Sequence, residues 1–295
     1  MKTIITAALL LTAAVASSGA QKVNIDKVNY FNQPNCYRVS NGTVEAIVTS
    51  DIGPRVIAYR FVGGENILAE MGPDAVVKTD LGEWHPWGGH RLWHAPEEMP
   101  RSYVPDNTPV KVETLENGVR VSQPVEAGTG IEKEMTVTLD PNSTRLTVGM
   151  KLTNRGHWPV ELSVWGLTIM NGGGTTIFPN EPFIPHGRKL LPARPLVMWH
   201  YTDMSDPRWQ WGKKFITLST DSAREKNPQK VGAANKQEWA AYLRNDLLFV
   251  KRFPYSEGAE YPDLGCNFET YTDGDFMEIE TLAPMVTLAK GESAT

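Results

Sequence analysis

Apolar and polar residues alternate with a period of two through most well-defined segments of this chain, and Asn-Gly or Asp-Gly pairs fall between them. Successive side chains on an extended backbone point to opposite faces, so this alternation builds half-buried strands rather than amphipathic helices. Thr43 to Val48 leads through Asp51-Ile52-Gly53-Pro54 into Arg55 to Phe61. Val110 to Leu115 turns at Asn117-Gly118 into Val119 to Ser122, and Met135 to Leu139 turns at Asp140 to Ser143 into Leu146 to Leu152. Another strand is expected from Val160 to Met170. Tight turns between such runs join antiparallel neighbours, so the expected fold is a large, mainly β meander. Ala233 to Leu243 reads equally as helix or strand, and residues 172 to 214, rich in proline and glycine, read as long ordered loops.

The first twenty residues carry Lys2, an apolar run and a small-residue end at Ser18-Gly19-Ala20. This pattern is expected of a secretory signal peptide (residues 1–20), which would make the mature protein exported, periplasmic or extracellular. The run is too short for a membrane span, and no other stretch approaches one. No shift in composition or internal repeat marks a linker, so residues 21–295 are read as one domain. A net charge of −5 argues against nucleic acid, whose phosphates need a basic partner surface. Cys36 and Cys266 are the two thiols; they could pair in an oxidising compartment or remain separate buried residues. Neither a metal nor a cofactor is implied.

Residues 84 to 100, WHPWGGHRLWHAPEEMP, hold three of the nine tryptophans and three of the six histidines. Pro86, Gly88-Gly89 and Pro96 interrupt the stretch, so it is expected to be a loop or strand end with side chains held for use. The same breaks argue against a helical metal pair at His90 and His94, and the glutamate of a His-Glu-x-x-His motif is missing. In an extended chain His90, Leu92 and His94 share one side while Arg91 and Trp93 take the other, so only one set can line a pocket. Trp84, Trp87 and Trp93 could stack on sugar faces or pack loops against a sheet.

A second dense segment runs from Asn267 to Glu280 around the Asp273-Gly274 turn. With a two-residue loop, Glu269 is expected opposite Glu278 and Asn267 opposite Glu280. Asn267, Glu269, Glu278 and Glu280 then share one face, and Phe268, Thr270, Met277 and Ile279 fill the other. Opposed carboxylates need a cation, a shared proton or open water. Lys251 and Arg55 are the expected balancing cations.

Gly63-Gly64-Glu65-Asn66-Ile67-Leu68, the GGHRLWHAPE segment, the strand pair VGMKLTNRGHWPVELSVWG and the MEIETLAP strand resemble the galactose-mutarotase-like superfamily, in an uncharacterised branch of bacterial proteins. The resemblance implies a supersandwich of two large antiparallel sheets with a sugar across a concave face. It implies Glu280 as the base of an anomer exchange, with His90 or His94 as the acid. Arg55, Trp93, Trp165, Lys251, Asn267, Glu269 and Glu278 are the expected substrate-binding residues. The chain departs from the pattern where aldose epimerases carry their acid histidine, since Trp165 stands at the nearest matching position. It also ends at Thr295, short of a closing strand that the resemblance implies, which reads as a truncated sequence. The expected partner is a carbohydrate, with oligomeric state left open. Three activities fit: an aldose 1-epimerase-like isomerase, a glycan-binding module without turnover, or a polysaccharide-processing enzyme using Glu278 and Glu280.

Overall fold

The computed structural model describes residues 22–223 and 227–295; the leader expected over residues 1–20 lies outside them. The regular secondary structure of the described residues is almost all antiparallel strand. One eleven-stranded sheet forms a continuous layer. Its middle runs, in spatial order, Arg55–Phe61, Gly89–Ala95, Val160–Asn171, Phe276–Leu282, Phe268–Thr272 and Gln229–Ala233. The second layer is divided into two five-stranded sheets, one centred on Ile131–Leu139 and the other on Thr175–Pro179. Both pack on the same face of the large sheet and share its apolar core, in which Val164, Met277, Ile279 and Phe268 meet Met135, Leu152, Phe178 and Tyr242. This is the architecture of a supersandwich, with its second layer in two pieces.

The strands expected from the alternation are present with ends shifted by a few residues, as in Ile131–Leu139 and Leu146–Asn154. Residues 172 to 214, expected as loops, also contain the strands Thr175–Pro179, Leu196–Met198 and Trp209–Trp211. The ambiguous Ala233 to Leu243 stretch is divided between the strands Gln229–Ala233 and Trp239–Arg244.

The aromatic segment departs from expectation. Gly89–Ala95 is a fully buried strand at the centre of the large sheet, and its proline and glycine breaks mark the strand's ends. The glycine pair is required by close approach. Both residues have positive φ, and a Cβ would lie 2.0 Å from the Ala69 carbonyl oxygen at Gly88 and 2.2 Å from that of Val56 at Gly89.

Both cysteines are free and buried. No helix of the described residues is long and apolar enough to cross a membrane.

Candidate functional site

Residues paired across antiparallel strands share a face, so the register of the large sheet defines rows of side chains. One outer row runs Arg55, Arg91, Leu167, Glu280, Glu269 and Gly232. The next runs Gly89, Ile169, Glu278, Tyr271 and Lys230. A third brings Trp93, Trp165 and Leu282 together. The outer face of six adjacent strands therefore collects two arginines, a lysine, three glutamates and an aromatic cluster.

The hairpin register differs from the expected one. Glu269 lies opposite Glu280, and Tyr271 opposite Glu278, because the strands first pair at Thr272 and Met277. The loop is longer than two residues because side chains stabilise it: Gly274 N–H donates to Thr272 Oγ1, and Asp275 N–H donates to Asp273 Oδ1. The shift is two residues, so every side chain keeps its expected face.

The cation between the opposed glutamates is Lys230, which the sequence reading missed. Its Nζ lies 2.7 Å from Glu269 Oε2 and 3.1 Å from Glu280 Oε2, and it sits over the Trp199 and Trp165 rings. Burial pulls the Lys230 ammonium down, but Glu269 and Glu280 outweigh it and hold the group well above the usual lysine range. Burial raises the Glu269 carboxyl well above the carboxylate range against the opposing pull of Lys230. Burial pushes Glu278 up to about 7, with Arg91 pulling the other way.

Glu280 is wholly buried beneath this cluster, where Trp165 Nε1 donates to its Oε2 at 3.0 Å. The second oxygens of Glu269 and Glu280 have no hydrogen-bond partner. Arg91 reaches Glu278 at 3.4 Å and stacks on Trp93 and Trp84, which together with Tyr103 and Trp165 form a buried aromatic cluster. Tyr103 O–H donates to Glu97.

Beside this cluster opens a cavity of about 420 Å³, lined by Glu97, Glu98, Tyr103, Trp199, Lys230 and Glu269, with Met99 and Asp263 completing it. Trp199 can lie there because Gly232, in the row below it, lacks a side chain. A Cβ at Gly232 would come within 3.2 Å of the indole and 2.5 Å of Cys266 Sγ.

Several expected site residues are elsewhere. His90 and His94 point to the inner face, opposite Glu280, because they alternate with Arg91 and Trp93 on one strand. His90 Nδ1 lies 2.9 Å from Thr168 Oγ1, and burial together with Lys251, Arg55 and Arg91 holds the ring well below the usual histidine range. Burial, with Lys133 and Arg101, takes His94 down to about 3. Neither can protonate a sugar bound on the outer face.

Lys251 is also on the inner side, donating to Gly166 O, Thr168 Oγ1 and Ile279 O, with burial pulling it down to about 7. It is not the hairpin's counter-ion. Arg55 is fully buried, clamping Pro86 O and Gly88 O while pairing with Asp106 at 2.8 Å. Asn267 ties its own strand to the Asn235 backbone rather than facing a ligand. Trp93 and Trp165 are 4% and 2% exposed, too deep to offer a stacking face.

Residues 84–98 and the hairpin do come together on one surface, through Trp84, Trp93 and Glu97 on one side and Glu269 on the other. Of the expected site residues Glu269 lines the cavity itself, while Lys230, Tyr103 and Trp199 come from outside the set. A lysine in a short strand carries no local signal. Its significance appears only when the two carboxylates across the sheet are in place.

No family model matches the sequence, and no curated protein matches it significantly. Solved structures do. A TPR-domain containing protein from Parabacteroides distasonis superposes with a TM-score of 0.56 at 15% identity, over 88% of this chain and 45% of that one. The chain thus spans less than half the length of that protein. A galactose mutarotase-like protein from Lactobacillus casei superposes with a TM-score of 0.53 at 12% identity, over 88% of this chain and 97% of the other. A galactose mutarotase related enzyme from Lactobacillus acidophilus gives 0.54 at 9% identity, over 88% and 94%. With its large sheet closed by two smaller antiparallel ones, the chain has the galactose-mutarotase-like fold.

Proposed function

We propose that this protein binds a carbohydrate in the cavity over Lys230 and Glu269. The observation that carries the reading is a cavity of about 420 Å³ with aromatic walls, Tyr103 and Trp199, and a buried Lys230 bridging two carboxylates at its floor. A pyranose offers apolar C–H faces and a rim of hydroxyls. Aromatic walls bury the first, and groups that both donate and accept satisfy the second. Glu269, at the cavity floor, keeps one buried oxygen without a hydrogen-bond partner, so a donor that reaches it competes with no protein group.

Binding without turnover fits this geometry better than anomer exchange through Glu280 and a histidine. Both histidines face away, and Glu280 is sealed under Lys230 and Trp165. A second reading, in which the outer face also moves protons, is supported by Glu278, a carboxyl beside Arg91 on the same face that burial pushes up to about 7.

The test is a glycan array followed by titration calorimetry and an anomer-exchange NMR measurement on the same protein. Binding that falls at least about tenfold in Trp199→Ala, with no exchange above the spontaneous rate, supports the binding reading. Exchange lost in Glu278→Gln supports the second. A folded protein that binds no glycan defeats both.

A further inference from the structure

The carbohydrate reading leaves the sugar's charge open, and the cavity lining bears on it. Four carboxyl side chains border the space, Glu97, Glu98, Asp263 and Glu269, against one cation, Lys230. That cation is already committed. Its ammonium lies between Glu269 and Glu280, both within 3.1 Å, so it adds no surplus positive field to the space above it.

Arg91 is the next cation on this face, but it does not line the cavity: it points at Glu278 and stacks on the Trp84 and Trp93 rings. Glu97 and Glu98 are exposed at the mouth, while Glu269 is 1% exposed with its Oε1 unpartnered. A buried carboxylate oxygen without a donor is costly, and a ligand that supplies the donor recovers that cost. A charged donor recovers more than a neutral hydroxyl. The aromatic lining agrees, since aromatic rings attract cations, as the Lys230 ammonium 4.7 Å over Trp199 illustrates.

Resting on the carbohydrate reading, we infer that the cleft selects sugars carrying a free amine, with the ammonium directed toward Glu269 and the acidic rim, and that it rejects uronic acids and sugar phosphates. The Glu269 carboxyl, which burial holds above its ordinary range, would release a proton as the ammonium enters, so binding should expel protons into the buffer.

The experiment is titration calorimetry of the full chain against D-glucosamine, D-glucose and D-glucuronate at about pH 6.5, where a sugar amine is protonated. The expected order is glucosamine, then glucose, then glucuronate, with the amine at least about fivefold tighter than glucose in low salt and the gap narrowing in high salt. Glu97→Gln/Glu98→Gln, a double change at exposed positions, should shrink that gap while thermal unfolding stays unchanged. Glucose binding as tightly as glucosamine, or glucuronate binding best, overturns the amine preference and leaves the carbohydrate reading standing. A preference that survives intact in the double variant overturns the assignment to this acidic rim. Absence of binding by all three sugars and by a neutral glycan array, in a protein that unfolds cooperatively, overturns both.

Discussion

Two buried polar clusters sit back to back on alternate residues of the same strands, and they meet the cost of burial differently. On the inner face, Lys251 crosses from the second layer and gives all its hydrogen bonds to neutral acceptors, Gly166 O, Thr168 Oγ1 and Ile279 O. On the outer face, Lys230 is shared by Glu269 and Glu280, and each glutamate keeps one oxygen without a partner. The inner lysine is a staple between layers. The outer one leaves two buried acceptors unpaired, one on Glu269 at the cavity floor and one on Glu280 beneath it, so position on a strand, rather than residue type, separates the two clusters.

The comparison breaks most visibly at Lys230. Replacing it with methionine strands two buried carboxylates, and urea unfolding at neutral pH should show a loss of about 3 kcal/mol. That loss should shrink as the pH falls and the carboxyls take up protons. If Lys230→Met is neutral at pH 7, the outer cluster is not held by this cation.

The two faces should also have opposite pH signatures. Glu278 is raised to about 7 from the ordinary 4.5, so the folded state holds the proton more tightly than the unfolded chain. Its contribution is full below about 4.5 and is lost as pH rises through about 7. Lys251 is depressed to about 7 from 10.5, so the folded state releases the proton first. Its contribution is full above about 10.5 and is lost as pH falls toward 7. Stability measured by urea across this range should lose its acid-side slope in Glu278→Gln and its alkaline-side slope in Lys251→Met. A variant that leaves its slope intact assigns the titration to another group.

The smallest expected effect sharpens the picture of Glu280. Trp165→Phe keeps most of the ring and removes one indole N–H donor, at an expected cost of about 1 kcal/mol in urea unfolding. No change would mean that the Trp165 contact with Glu280 is replaceable by water.

The layered β architecture was legible because alternation is a local property, carried strand by strand through residues such as Val119 to Ser122 and Leu146 to Leu152. Parity was legible too. Asn267 to Glu280 kept its faces even though the Thr272 and Asp273 side chains lengthened the loop, since a two-residue slip preserves which way a side chain points. Two matters were not legible. Alternation separated His90 and His94 from Arg91 and Trp93 but could not say which set faced the second layer. Lys230 was invisible because its partners lie about forty to fifty residues away in sequence, on strands brought alongside it only by the folded sheet. The proline and glycine breaks around Gly89–Ala95 misled in the same way, since they bound a central strand that sequence order places nowhere near a centre.

Gly232 sets a final constraint. The Trp199 indole rests on bare backbone there, with Cys266 sulfur pressing from beside it. A single added methyl would act as a wedge, tipping the indole off its ledge and changing the width of the opening. The bore of the cavity is therefore governed by an atom the protein omits, and Gly232→Ala should change its shape.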